Sequence, residues 1–215
     1  MSKIKLTKGE LKRQRDSLKQ FQHYLPTLQL KKQQLQIKIL EARKKIEERE
    51  AALATKEEFI LRWVGLLADP MLPMKEEEGI DFKRWLAPTK VVTDKLNIAG
   101  ANIPIFIDIN FPPAAYDFYA VPFWVDLALV ELRAVVAILV EINVIRKQIA
   151  ILQQELRVTT QRVNLFEKIK IPECKNNIRV IRIYLGDQQA NAVGISKVAK
   201  GKIAKASLEF EEAVA

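Results

Sequence analysis

Residues 135–166 read VVAILVEINVIRKQIAILQQELRVTTQRVNLF. Val135, Ile138, Ile142, Ile145, Ile149, Leu152, Leu156, Thr159, Val163 and Phe166 recur at alternating steps of three and four residues. That spacing places them on one stripe of an α-helix, the pattern of a coiled-coil seam. Beyond Phe166 the phase slips by one residue. The stripe resumes as Ile171, Cys174, Ile178, Ile181 and Leu185. Pro172 stands at the slip, so a local bend is expected there. A helix is predicted over 121–208. Its pattern weakens past Gly186, and the Gly186–Gly194 stretch reads as loop-like.

A second stripe lies near the start of the chain and predicts a helix over 8–68. Leu11, Leu18, Leu25, Ile39, Ile46, Leu53, Ile60 and Leu67 form one heptad series, and Phe21, Leu28, Leu35, Ala42 and Trp63 form its companion. Lys32, Arg49 and Lys56 interrupt the series. Thr7 reads as the N-cap, with Glu10 as its capping-box partner. Pro26 lacks the helical donor and crowds the turn before it, so a kink is expected near Gln22–Pro26. A helix of about 60 residues would reach on the order of 90 Å. At that length an exposed apolar stripe is not viable in water. Two such stripes in one chain bury each other best as an antiparallel hairpin. The expected fold is all-α dominated: a long antiparallel two-helix coiled coil with a small central β-hairpin module.

That module falls in 69–120, and seven of the nine prolines lie between Pro70 and Pro122. Residues 90–98 and 103–111 are rich in β-branched side chains, and Ala99-Gly100-Ala101-Asn102 lies between them. A β-hairpin over about 90–111 with a four-residue loop is predicted. Strict alternation would put Ile103, Ile105, Ile107 and Ile109 on one face, with Phe106 and Asp108 on the other. Two strands alone are marginal in water, so one face should dock on the helices or on a partner. Pro104 should occupy a position that needs no ladder donor.

The net charge of +9 is unevenly spread. Residues 1–45 hold 13 Lys/Arg against 3 Asp/Glu, and residues 144–208 hold 13 against 4. Between them, residues 46–143 hold 9 Lys/Arg against 16 Asp/Glu, and the last seven residues hold three acids. Folding the chain back on itself brings two basic ends to one pole. Such a pole suits acidic partners, nucleic acid or anionic lipid.

Most catalytic chemistry is excluded by composition. One Cys and one His rule out a Cys-clustered zinc site and make a His-based centre or a Ser-His-Asp triad unsupported. Gly201-Lys202 fails the phosphate-loop pattern, because Ile203 follows and Ser196 stands where the first Gly is needed. Glu76-Glu77-Glu78 reads as a solvated turn, His23 as a surface residue and Cys174 as a small packed hydrophobe. Trp63, Trp85 and Trp124 read as packing at the helix ends. No cofactor is expected. The longest apolar run, Ala134–Val140, is too short to span a membrane. The first fifteen residues contain no signal-peptide core. A soluble intracellular protein is expected. The run Lys197, Lys200, Lys202 and Lys205 lacks interleaved aromatics, which argues against sequence-specific nucleic-acid reading.

Three stretches resemble one family, the D subunits of the V-type and archaeal-type rotary ATPases. The first is Leu6-Thr7-Lys8 leading through Leu11, Leu18, Leu25-Pro26 and Leu28 to Leu35. The second is Ile98-Ala99-Gly100 through Ile103-Pro104. The third holds Arg162-Val163-Asn164 with Glu167, then Ile171-Pro172, Asn177-Ile178, Ile181 and Leu185. The match covers roughly residues 5–202. The chain departs from the family after Leu185, where Gly186–Gly194 replaces an acidic, Arg-rich stretch.

The resemblance implies a non-catalytic central rotor shaft that couples ATP hydrolysis or synthesis in the head to ion translocation across the membrane. The two stripes give the seam itself: Leu11, Leu18, Leu28, Leu35, Ile39, Ile46 and Leu53 against Val135, Ile138, Ile142, Ile145, Ile149, Leu152, Leu156, Val163 and Phe166. The resemblance marks Val163, Asn164, Glu167 and Pro172 as motif positions. Both termini would lie inside the head, with Lys197, Lys200 and Lys202 touching it. The implied partners are the catalytic and regulatory head subunits, the small central-stalk F subunit and the connector between stalk and membrane ring. No nucleic-acid partner and no membrane insertion are implied. The implied location is cytoplasmic, peripheral to the membrane. Two other classes stay open on the residues alone: a coiled-coil scaffold outside any ATPase, and a basic helical hairpin that binds nucleic acid.

Overall fold

The structure is a computed structural model that describes residues 4–68, 81–116 and 122–214. Glu76-Glu77-Glu78, the rest of 69–80 and residues 117–121 lie outside the described residues, as do the side chains of the acidic tail. The element order is α1 (Lys8–Leu61), a 3-10 turn (Val64–Ala68), α2 (Phe82–Leu86), β1 (Lys90–Ile98), β2 (Ala101–Asn110), α3 (Trp124–Asn164), a π turn (Leu165–Lys170) and α4 (Ile171–Val214). The fold is helix-dominated with one small antiparallel sheet. Internal contacts divide the chain into two units, Met1–Leu30 with Thr160–Ala215, and Lys31–Thr159.

In the Lys31–Thr159 unit α1 and α3 run antiparallel. Lys31 pairs with Glu155 at 3.8 Å, Arg49 with Glu141 at 3.0 Å, Glu50 with Arg146 at 3.0 Å and Lys56 with Glu131 at 2.6 Å. From Lys31 to Lys56 the partners run back from Glu155 to Glu131, the order of an antiparallel pair. These pairs are partly solvated, so each contributes only about 0.2–1 kcal/mol, and together they fix register. Stability comes from the apolar interior, where each fully buried aliphatic side chain contributes roughly 1.5–3 kcal/mol. Leu35, Ile39 and Leu152 form one buried cluster with Ala101 and Ile103 of the hairpin. The hairpin is therefore docked on the helical pair. Gln148 Nε2 donates to the Pro104 carbonyl on the same contact.

The hairpin differs from its predicted form in two ways. Ile98 pairs with Ala101, so the loop has two residues, not four. Ala99 has φ 51° and Gly100 φ 83°, the pattern of a primed turn. Asn97 Oδ1 accepts from the Gly100 N–H at 3.0 Å and supports it. The second difference is a bulge. Val92 pairs with Asp108 and Thr93 with Phe106, which leaves Ile107 unpaired and 58% exposed. Alternation resets there. Ile103 and Ile105 share a face with Leu96 and Asp94, whereas Ile109 falls on the opposite face with Val91, so the four isoleucines do not form one row. Counting from the turn, the Pro104–Lys95 pair is a non-hydrogen-bonded one, where proline loses no ladder bond.

Alanine in the left-handed region is strained by about 1 kcal/mol, and asparagine tolerates that region better. Ala99→Asn is expected to raise the melting temperature by roughly 2–4 °C, and Ala99→Val to lower it. Thermal melts by circular dichroism check the pair. Equal melting of both variants would contradict the left-handed turn.

A second small core holds the lower part of the unit. Trp85, Val125 and Leu129 are buried, with Phe82, Leu86, Ala114, Tyr116 and Trp124 packed around them. Trp63, half-buried, stands outside this group. Arg133 ties the connecting segments to α3. Its Nη2 donates to the Pro112 carbonyl at 2.6 Å, its guanidinium also reaches the Trp85 carbonyl at 3.4 Å, and it lies 5.3 Å from the Phe111 ring centroid.

In the other unit the N-terminal part of α1 runs antiparallel to the segment from Thr160 onward. Phe21 meets Phe166 with ring centroids 5.0 Å apart, and Asn177 Nδ2 donates to Gln14 Oε1 at 3.5 Å. Thr7 Oγ1 accepts from the Glu10 N–H at 3.3 Å, while the Glu10 carboxylate takes the Gln14 amide at 2.8 Å. The capping box is therefore half made. α1 is helical without a break through Pro26. Both Pro26 and Gln22 are exposed, so water is at hand for the carbonyl that proline cannot serve.

Candidate interaction surfaces

The one-residue phase slip after Phe166 has a specific cause. Leu165–Lys170 is a π turn, and the Ile171 N–H donates to the Phe166 carbonyl five residues back. A π turn holds one residue more than the α turn it replaces, so the stripe stays on one side while its spacing lengthens to five. Pro172 follows at once. The wider turn relieves the clash that its ring would make with the carbonyl four residues earlier. A π turn, rather than a break in the helix, stands at the phase slip where a local bend was expected.

The stripe is buried on both sides of the π turn. Val163, Cys174, Ile178 and Ile181 are at most 7% exposed. In the Lys31–Thr159 unit Leu35, Ile39, Ile142, Ile145 and Leu152 are equally buried. Leu11, Leu18, Leu28, Ile46, Leu53, Val135, Ile138, Ile149, Leu156 and Phe166 are half-buried. Of the motif positions, Val163 is buried, while Asn164, Glu167 and Pro172 face solvent. Burial raises the Cys174 thiol pKa, the neighbouring Glu173 carboxylate raises it further, and Lys170 opposes both. The thiol is therefore neutral at pH 7, and Cys174 behaves as a packed hydrophobe.

Beyond Leu185 α4 continues as helix through Gly186, Gly194 and Gly201, so the stretch expected as loop-like is helical. Every residue from Gly186 to Ala206 stands exposed, among them Val193, Ile195, Val198 and Ile203 at 61–71%. Lys197, Lys200 and Lys202 share this solvated helix.

A second surface lies within the basic pole that the charge distribution pointed to. Between the start of α1 and α4 lies an open groove of about 680 Å³, lined by Lys8, Lys12, Arg15, Lys19, Lys175 and Arg182 over a floor that includes Leu11, Leu18 and Ile178. The signal that would have found it is the 4-3-4 spacing of its four cations on α1. Among the described residues no group of His, Cys, Asp and Glu could hold a metal ion, and no helix is long and apolar enough to cross a membrane.

The comparisons with known proteins agree with one another. The family model for the ATP synthase D subunit matches residues 10–201. The V-type ATP synthase D subunit of Borreliella burgdorferi is 45% identical over 208 residues, covering 97% of this chain and 96% of that protein. The proteins of the same name from Chlamydia pneumoniae and Chlamydia caviae are 32% and 33% identical, each over 98% of both chains. Paired helices, a docked β-hairpin and a match that runs nearly end to end lead to one conclusion: the chain belongs to the family of ATP synthase D subunits.

Proposed function

We propose that this chain is the central rotor shaft of a V-type ATP synthase. It has no active site of its own and acts by mechanical coupling. Its angle biases the nucleotide sites of the catalytic and regulatory head subunits, and those sites bias its angle in return, a reciprocal coupling between binding and conformation. The small F subunit and a connector to the membrane ring are its other partners, and it works on the cytoplasmic side, peripheral to the membrane.

The observation that carries this reading is the exposed end of α4. From Gly186 to Ala206 every residue is exposed, and Val193, Ile195, Val198 and Ile203 among them are apolar. A lone helix bearing such residues gains stability only when something surrounds it. A head that encloses the end of the shaft, with Lys197, Lys200 and Lys202 against it, would supply that cover. The similarity to D subunits of V-type ATP synthases in other organisms supports the same assignment.

The test is reconstitution with a shaft lacking residues 197–215. Expected is a truncated shaft that stays folded but leaves ATP turnover poorly coupled to ion transport, or fails to enter the complex. Intact assembly together with full coupling would remove the role given to this end. Purification of the full chain from native membranes should bring head and stalk subunits with it.

A further inference from the structure

We infer that the groove between the N-terminal part of α1 and α4 is a docking site for an acidic amphipathic helix whose carboxylates recur at the same three- and four-residue steps as the cations of the groove. This goes beyond the rotor reading and does not depend on it.

The first observation is the charge left unpaired. The groove is lined by Lys8, Lys12, Arg15, Lys19, Lys175 and Arg182, with Asp16 as its one acid. Among the described residues none of the six cations makes an ion pair. The Lys31–Thr159 unit treats its charges differently, with four ion pairs across its two helices. One part of the chain thus balances its interhelical charge, whereas the groove gathers like charge that repels itself until an anion arrives.

The second observation is spacing. Lys8, Lys12, Arg15 and Lys19 stand on one stripe of α1, about 16 Å from first to last at ~1.5 Å per residue. Lys175 and Arg182 are seven residues apart, two turns of α4, so they also share a stripe. A helix laid along the groove with Glu or Asp at three- and four-residue steps would meet both rows.

The third observation is the floor. Leu11 and Leu18 are half-buried and Ile178 is buried, so apolar surface lies beneath the cationic rims. An amphipathic helix covers such a floor with its own apolar edge. A nucleic acid would prefer aromatic platforms for its bases, and the groove lining contains none.

The experiment uses the full chain and two labelled synthetic helices of identical composition. One carries Glu at positions 1, 5, 8 and 12 beside a leucine edge, and the other has the same residues with the Glu clustered. Binding is read by fluorescence anisotropy at low and at physiological salt. The spaced helix is expected to bind at least about tenfold more tightly than the clustered one, with affinity falling as salt rises. Charge reversal by Lys12→Glu, Arg15→Glu and Lys175→Glu should weaken it by a further tenfold or more. All three residues are exposed, so the melting curve should hold. A second variant, Lys8→Glu with Lys19→Glu and Arg182→Glu, guards against local damage by the first and should give the same loss. Equal binding of the two helices would reduce the groove to net charge and overturn the proposal. Undiminished binding by both variants would overturn it also. So would a single-stranded RNA that binds more tightly than the spaced helix and is lost on charge reversal, which would assign the groove to nucleic acid.

Discussion

Leu152→Asp is expected to unfold the Lys31–Thr159 unit. Leu152 is 2% exposed and lies in the cluster shared by α1, α3 and the hairpin. The substitution removes a packed aliphatic group, a loss of about 2–5 kcal/mol in comparable cores, and adds a carboxyl group with no cation assigned to it. That loss alone is comparable to the lower end of a domain's total stability of about 5–15 kcal/mol. The neighbouring Gln153 is exposed, so Gln153→Asp should change stability by no more than about 0.5 kcal/mol. Chemical denaturation followed by circular dichroism separates the two. A Leu152→Asp protein that melts like the parent would mean that the helices do not pack through this residue.

The second large effect is a contrast between two single-residue deletions. Removing Ile169, which is 54% exposed, together with Pro172→Ala should cost at most about 1 kcal/mol. The deletion turns the π turn into an ordinary α turn. Every stripe residue from Ile171 onward then falls back into strict three-four spacing with Phe166, so the buried face survives. The proline is replaced because, in a regular α turn, its ring would again meet the carbonyl four residues before it, at about 3 kcal/mol. Removing the exposed Arg157 instead rotates everything after it by about 100° relative to what precedes it, since no spare residue exists there to absorb the loss. That protein should lose several kcal/mol and its cooperative melting transition. Equal behaviour of the two deletions would show that the π turn does not carry the extra residue.

The slip after Phe166 shows how far the sequence could be read. A three-four stripe needs only the identity of its residues, because spacing alone decides which side of a helix they share. The stripe therefore pointed to Leu35, Leu152, Val163 and Ile181 directly. The slip itself was visible as a five-residue gap, but its form was not. A loop, a kink and a π turn all accommodate one extra residue. The hairpin was legible as two β-branched runs around a glycine, yet its two-residue turn depends on Ala99 accepting a left-handed backbone, which composition does not reveal. The bulge at Ile107 likewise follows from pairing across strands and not from either strand alone. In α4 the glycines argued against a helix, each costing about 1 kcal/mol relative to alanine, and flanking Gln, Ala and Lys residues outweighed them. The basic pole was legible from the charges of residues 1–45 and 144–208, but the groove within it was not, because which cations line it depends on how the two helices pair.

The four ion pairs between α1 and α3 also decide whom this chain will fold with. Two copies of α1 laid side by side in parallel would bring residues 1–45, with 13 cations and 3 acids, against an identical stretch. Lys31 would lie at the height of another Lys31, and Glu50 at that of another Glu50. Within one chain each instead meets its opposite, Glu155 and Arg146. Charges at the flanks of a seam choose partners more than they add affinity. The chain thus prefers its own second half to a neighbour's first. Its paired helices can form within a single molecule, and a chain that does so is expected to melt at a temperature independent of its concentration.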